Sequence, residues 1–346
     1  MPDTITMRHL GKMGRFGNQI LQYAFLRCYA DQYDLEVQTA PWAGEYLFGI
    51  PSSPVQGTSL SYHERWPNGA MGVQLPPDGA EARNRDFIGY AQYPMGWYAP
   101  YRQKLAELFS PTPEVADRMA AALEVLGRLG NTLVGVHLRR GDYGRLLYYR
   151  VPVDWYLQCL HDLWPTLDKP VLFVATQEVG LVREFIQYDP IIVEDLGVSL
   201  AGPPPKYEDL PENVARQNRS LDFFPDWYLL NQCDVLLAPN STFSFTAGMV
   251  STKLKRFFRS HLPGRAMKEQ DIWAPDMTPL EYYLAEDYRD VPGLCLTHNP
   301  PHWYRCPKCE GAYKIDGRPC PQCRGVGSVQ EPPPWYRSRQ QLLEIV

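Results

Sequence analysis

No stretch of the chain approaches the roughly 18 consecutive apolar residues that a membrane-spanning helix needs. The opening residues, Met1-Pro2-Asp3-Thr4, carry neither the basic cluster nor the apolar run of a secretory leader. Both absences point to a cytoplasmic protein with no membrane span. The sequons at Asn218-Arg219-Ser220 and Asn240-Ser241-Thr242 would then go unused. Positive charge is not in excess either: 34 Lys and Arg against 39 Asp and Glu leave a net charge of −5. That balance gives no electrostatic basis for general nucleic-acid binding. A dinucleotide fingerprint is also missing. The glycine-rich turn Gly14-Arg15-Phe16-Gly17-Asn18-Gln19 has the wrong spacing, and no acidic residue follows its second strand in the required place.

What is present is globular. Hydrophobic residues make up 45% and charged residues 21% of a 346-residue chain, enough for about two domains and an appendage. Aromatics reach 13%, with 22 Tyr and 9 Trp, which suits a protein that stacks on sugars or bases. Four of the eight cysteines, Cys28, Cys159, Cys233 and Cys295, are scattered in apolar or helical stretches and read as buried small hydrophobes. The other four are clustered in the tail.

The pattern of elements is α/β. Residues 4–10 read as a first strand. The glycine-rich turn follows, and then an amphipathic helix with Ile20, Leu21, Ala24, Phe25 and Cys28 on one face. Residues 35–40 alternate as a second strand, so the chain opens with a βαβ unit and a ligand-facing first loop. Residues 41–85 are rich in Pro, Gly and Ser and read as long loops. Residues 86–92 read as a buried strand, and 98–109 and 113–129 as helices. Strands at 132–139, 170–176, 190–195 and 234–239 alternate with helices at 153–164, 178–187, 221–232 and from 240 onward. That alternation predicts a doubly wound sheet. A polar, proline-rich loop covers 197–220. The stretch 110–131 separates two units, 1–120 and 121–298. Residues 299–346 lose periodicity and form a third unit.

Three constellations carry chemistry. The heptad His137-Leu138-Arg139-Arg140-Gly141-Asp142-Tyr143 follows the apolar run 133–136. Two arginines at a strand's carboxyl end suit a planar, multiply charged group such as a diphosphate. The guanidinium fork bonds two oxygens at once and keeps its charge. Exposed ion pairs are the bland reading of such a pair. An adhesion reading of the Arg-Gly-Asp triplet is set aside, because the triplet abuts a buried strand. The second constellation, Asn240-Ser241-Thr242-Phe243-Ser244, follows the apolar strand 235–238. It reads either as a plain helix cap or as an anion-binding helix start. Two such strand ends in one sheet would close on one diphosphate. The third is Cys306-Pro307-Lys308-Cys309 with Cys320-Pro321-Gln322-Cys323. This paired spacing suits a closed four-thiolate zinc site, structural and not catalytic.

The motifs together resemble the fucosyltransferase superfamily, and most nearly the α-1,2-fucosyltransferase family. The opening Gly14 to Gln19 through Tyr23-Ala24-Phe25 resembles that family's start and that of the protein O-fucosyltransferases. Gly89-Tyr90-Ala91-Gln92 resembles its mid-domain motif, and the heptad 137–143 its signature. Asp226-Trp227-Tyr228-Leu229-Leu230 leading to 240–244 resembles its donor motif. The likeness covers about residues 5–260. It implies a GT-B-like architecture, two Rossmann-like domains facing a cleft, with an acceptor side at 1–120 and a donor side at 121–298. It implies GDP-L-fucose as donor, a glycan acceptor, inversion at the anomeric carbon, and no catalytic metal. Carried over, Arg139 would hold the β-phosphate, and Arg140 and His137 would shape the pocket. Ser241, Thr242 and Phe243 would contact GDP, with Asn240 and Ser244 in the same string. Asn18 would lie on the acceptor side, and Asp142 would orient the arginines.

The sequence departs from the family in three places. After Ser244 it runs Phe245-Thr246-Ala247-Gly248, closer to the O-fucosyltransferase pattern. Residues 41–85 match nothing in the family. The zinc ribbon at 299–346 lies outside the family core; it resembles half of a DnaJ-type cysteine-rich domain and would dock a protein partner, an acceptor or the catalytic domain itself. Three other readings stay open at this point: a transferase using another GDP-sugar or a peptide acceptor, a non-catalytic glycan- or protein-binding module, and a nucleic-acid or chaperone-type role centred on the ribbon.

Overall fold

A computed structural model describes residues 2–51, 53–57, 59–65, 73–141, 143, 148–200 and 221–281, with the backbone of four short strands in the tail. Two sheets organise the chain. The first is wholly parallel and has four strands: β1 (Thr4–Met7), β2 (Glu36–Thr39), β3 (Leu60–His63) and β4 (Arg85–Ile88), in the order β2-β1-β4-β3. The second has five: β5 (Thr132–Leu138), β6 (Pro170–Thr176), β7 (Val235–Ala238), β8 (Arg256–His261) and β9 (Ala266–Gln270), in the order β9-β8-β7-β5-β6. Strands β5 to β8 are parallel and β9 closes the edge antiparallel. Read in chain order, the second sheet runs 2-1-3-4-5, one of the two common doubly wound orders.

Helix α1 (Phe16–Tyr33) differs from the expected amphipathic helix. It is buried at Phe16, Gly17, Gln19 to Phe25, Leu26 and Cys28 to Ala30, so nearly its whole girth is covered. The covered residues include the polar Gln19 and Gln22, and α1 packs against β1 and β2 and against the helix that begins at Thr242. Helix α2 (Pro113–Leu129) follows the one-sided pattern instead. The Thr112 hydroxyl accepts the Val115 N–H at 3.4 Å, Pro113 occupies the first turn, and Val115, Met119, Ala122 and Leu126 face inward.

Strands β5 and β7 are buried on both faces, as expected of a parallel sheet covered by helices. Alternation sends Val134, Val136 and Leu138 to one face, where they meet α3 (Val153–Leu163) through Tyr156, Leu160 and Leu163. Residue His137 points to the opposite face. That face carries Phe173, Ala175, Leu236 and Ala238, and it meets α1, α4 (Phe224–Asn231) and α5 (Thr242–Met249) in one continuous hydrophobic cluster. The cluster includes Ile5, Met7 and Phe87 of the first sheet, so one core spans both sheets.

One expectation needs correction. Residues 190–195 do not form a strand. Only Ile191 bridges to Phe173, and Val193–Leu196 turns into a short helix in which Asp195 accepts the Ile192 N–H at 3.1 Å. The helix expected at 178–187 is present as a 3-10 helix, Val179–Tyr188. The β8–β9 hairpin was not foreseen. In addition, Cys28 and Cys233 are buried, but Cys159 is only half-buried.

Candidate functional site

In open α/β sheets, ligands sit outside the carboxyl ends of strands, at the point where strand order reverses. In the second sheet that point lies between β5 and β7. Their ends carry the arginine pair and the Asn240-Ser241-Thr242 string. In the first sheet it lies between β1 and β4, whose ends lead into the Gly14–Asn18 turn and Gly89-Tyr90-Ala91-Gln92. The four motifs expected from sequence therefore fall at two switch points.

Helix α1 brings those points together. A Cβ on Gly17 would lie 2.5 Å from the carbonyl carbon of Thr242, so α1 and the first turn of α5 touch backbone to backbone. Phe16 anchors the contact, with its ring 4.7 Å from Phe223 and 5.4 Å from Trp227. Gly14, at φ +78°, makes the preceding turn. A Cβ there would lie 2.5 Å from Asn18 Nδ2. The Asn18 Oδ1 accepts a hydrogen bond from Gln92 Nε2 at 2.9 Å.

On the other side, His137 Nδ1 lies 2.8 Å from Ser244 Oγ, and its ring is 5.3 Å from that of Phe243. Burial, reinforced by the adjacent Arg139 and Arg140 guanidiniums, pushes the imidazole pKa down to about 3. The ring is therefore neutral and links β5 to α5. Arg139 is half-buried; it donates to Gln177 Oε1 at 3.3 Å and lies 5.1 Å over the Tyr143 ring. Arg140 is buried and donates to the Arg139 carbonyl at 3.2 Å. Gly141 takes φ +68° at the turn, and Arg150 braces it by donating to the Tyr143 and Gly141 carbonyls. The Tyr143 hydroxyl reaches the Asn240 carbonyl at 3.0 Å, which ties the heptad to the second string.

The string itself shows how the two readings of it divide. The Ser241 hydroxyl caps α5, accepting the Phe243 N–H at 3.4 Å. Asn240 and Ser244 are fully buried and their side chains are committed inward. Asn240 Oδ1 accepts from Arg259 Nη2 at 2.5 Å and from the Glu281 N–H at 2.8 Å, and Ser244 meets His137. The members left partly exposed are Arg139 and Phe243 here, and Asn18 across the contact. Asp142 and the cysteines Cys306, Cys309, Cys320 and Cys323 lie outside the described residues. Among the described residues no group of three or more His, Cys, Asp or Glu is placed to hold a metal ion. Nor, among them, is any helix long and apolar enough to cross a membrane.

Two supporting residues escaped the sequence reading. Arg259, fully buried in β8, donates to Asn240 Oδ1 and to the carbonyls of Thr278 and Pro279. Its signal was an arginine directly after the pair Phe257-Phe258. Glu64, at the end of β3, accepts the Tyr90 and Ala91 N–H groups at 2.8 Å each. Its segment lacked periodicity, so nothing marked it. An open hollow of about 650 Å³ between residues 99–110 and 249–252 sits at the far end of α5, away from the strand ends that carry the arginines.

The chain resembles galactoside α-(1,2)-fucosyltransferases. Galactoside alpha-(1,2)-fucosyltransferase 2 of Oryctolagus cuniculus is 27% identical over 262 residues, covering 70% of this chain and 66% of that protein. The mouse galactoside 2-alpha-L-fucosyltransferase Sec1 is 28% identical, over 66% and 67% of the two chains. The human galactoside alpha-(1,2)-fucosyltransferase 1 is 24% identical, over 69% and 64%. The chain thus spans about two thirds of the length of these relatives. They are glycosyltransferases by name. No family model matches. Among solved structures, the fucosyltransferase NodZ from Bradyrhizobium overlaps at a TM-score of 0.48 with 14% identity, over 78% of this chain and 99% of that one. An Arabidopsis thaliana FUT1 mutant in complex with GDP overlaps at 0.49 with 14% identity, over 89% and 81%. The fold rests on the strand order described above.

Proposed function

We propose that the chain is an inverting fucosyltransferase that moves L-fucose from GDP-L-fucose to a hydroxyl of a glycan acceptor, forming an α-1,2 linkage to galactose. The observation that carries this reading is the arginine pair at the end of β5, beside the start of α5, at the switch point of the second sheet. The named activity of the relatives supplies the sugar and the linkage.

In this reading the acceptor oxygen attacks the anomeric carbon as the bond to the β-phosphate breaks, GDP departs with the bonding pair, and the hydroxyl proton passes to water. Negative charge gathers on the departing diphosphate, and a fixed cation held where that charge develops stabilises the transition state most. Arg139, half-exposed beside Tyr143, takes that role, with Arg140 supporting it. His137 stays neutral and keeps Ser244 and Phe243 in place. The guanidiniums, rather than a divalent cation, offset the charge. The unit 121–298 then serves the donor and the unit 1–120 the acceptor, with Asn18 facing the acceptor. Cysteine spacing carries the zinc ribbon at 299–346 and its docking surface.

The test is turnover of a panel of GDP-sugars with a galactose-terminated acceptor, with and without EDTA. GDP-fucose should be consumed in both conditions. Turnover of GDP-mannose alone would replace the sugar, and activity lost in EDTA but restored by Mg²⁺ or Mn²⁺ would overturn the role of the arginines. No GDP binding by calorimetry would favour a non-catalytic module.

A further inference from the structure

At the carboxyl end of the first sheet sits a buried carboxylate that the reaction just described leaves without a task. Glu64 follows β3 directly and is 8% exposed. Its Oε2 accepts the Tyr90 N–H and its Oε1 the Ala91 N–H, both at 2.8 Å, while its own N–H donates to the Ile88 carbonyl at 2.9 Å. Gly89 lets the loop approach, since a Cβ there would lie 2.6 Å from Glu64 Cβ.

The turn held in this way is a strained one. Ala91 has φ +52°, a left-handed conformation that a non-glycine residue adopts only when its surroundings impose it. Glu64 imposes it from one side. From the other, the Tyr98 hydroxyl donates to the Ala91 carbonyl at 2.6 Å. Gln92 comes next. Its N–H donates to Gln74 Oε1 at 2.6 Å, and its side chain donates to Asn18 Oδ1. That last bond fixes which end of the Asn18 amide accepts and leaves Nδ2 as the donor end. Two adjacent N–H groups need two acceptor oxygens, and a carboxylate supplies both. Burial raises the Glu64 pKa to about 7, against the pull of the two N–H bonds, so the group is held there at a cost.

We propose that Glu64 is a positioning residue: its carboxylate holds residues 90–91 in the turn that delivers Gln92 to Asn18, and so aims the Asn18 amide at a hydroxyl of the acceptor sugar. The proposal rests on the fucosyltransferase reading for its substrate, but not for its structural half. The donor side lies on the other sheet, where Gly17 rather than Asn18 touches Thr242.

Hydrogen exchange and kinetics on the full chain test the two parts separately. Glu64→Gln keeps one oxygen and turns an NH2 against the second N–H. Exchange should quicken in peptides covering 89–93 and 14–19 and stay unchanged in 239–246. GDP affinity should hold within about twofold. Because misplacement by about 1 Å costs on the order of 100-fold, kcat/KM for the acceptor should fall about 10- to 100-fold. Glu64→Asp should recover part of the loss. Should Glu64→Gln fail to fold, Gln92→Ala must show the same acceptor defect with GDP affinity intact. Exchange unchanged at 14–19, or a parallel loss of GDP affinity, would overturn the proposal. If the wild-type chain does not turn over GDP-fucose, the functional reading fails, and the exchange coupling between 89–93 and 14–19 still decides the role of Glu64.

Discussion

Replacing Gly17 with alanine adds a single carbon at the contact between α1 and α5. That carbon would lie 2.5 Å from the Thr242 carbonyl carbon and 2.6 Å from both the Thr242 oxygen and the Phe243 nitrogen, where ordinary contact begins at 3.4 Å. All three are backbone atoms, so no side chain can rotate away. One helix must give by about 1 Å, in an interior packed as densely as a crystal. Extra methyl groups in such places cost about 1–3 kcal/mol. With an unfolding entropy of about 2.1 cal/mol/K per residue, 1 kcal/mol moves the Tm of a 346-residue chain by about 1.4 °C, so Tm should fall by about 1–4 °C. The same shift displaces the first turn of α5 from the arginine pair, and a displacement of that size costs on the order of 100-fold in kcat/KM. Thermal unfolding and steady-state kinetics measure both effects, and calorimetric titration with GDP reports the donor side directly. Gly127→Ala is the control: it sits in α2 with nothing within 4 Å of the added carbon. There the change should stabilise by about 0.5–1 kcal/mol. Wild-type Tm and GDP affinity in Gly17→Ala would mean that α1 and α5 do not meet as described.

Arg139→Ala should lower kcat by about 100- to 1000-fold, with Tm little changed because the side chain is half-exposed; Arg139→Lys, keeping charge but losing the fork, should fall between, and an unaltered kcat in both would refute its role. The His137 pKa is depressed from 6.5 to about 3, so it contributes stability that is present above pH 6.5 and lost as pH falls toward 3. At about 1.4 kcal/mol per unit this amounts to at most about 5 kcal/mol. The difference in unfolding free energy between wild type and His137→Asn should therefore shrink across that window, and a pH-independent difference would show that the imidazole is not buried neutral. Metal analysis of the full chain should find about one zinc per chain, lost in Cys309→Ser; a metal-free chain with unchanged Tm would remove the ribbon.

The sequence marked those parts of the site whose chemistry is local. Arg139, Arg140, Ser241 and Asn18 stand at turns beside apolar runs, and strand order then places them at switch points. The hidden parts depend on distant pairings. Glu64 acquires its place from a register between β3 and β4 that no periodicity announced. Arg259 bonds Asn240 across nineteen positions, and its acceptors at 277–279 come from an irregular segment. The misread of α1 has a similar cause. Alternation of polar and apolar residues normally marks an exposed face, but here Gln19 and Gln22 are buried. Gln22 Nε2 donates to the Met13 and Gly89 carbonyls, so a polar side chain serves an interior. The 190–195 stretch was apolar enough for a strand, yet a local bond from Ile192 to Asp195 turned it into a helix.

The seat of Phe16 among Phe223, Phe224 and Trp227 bears on how such a chain can be recombined. The first turn of α1 is encoded near the start of the chain, but its packing partners are encoded two hundred residues later. A chimera that exchanges the donor half of this chain for that of another transferase, cut anywhere between 110 and 131, would leave this ring facing a foreign surface. The exchange should succeed only when residues 14–18 travel with the donor half, so the first turn of α1 is inherited with the arginine pair rather than with the sheet that precedes it.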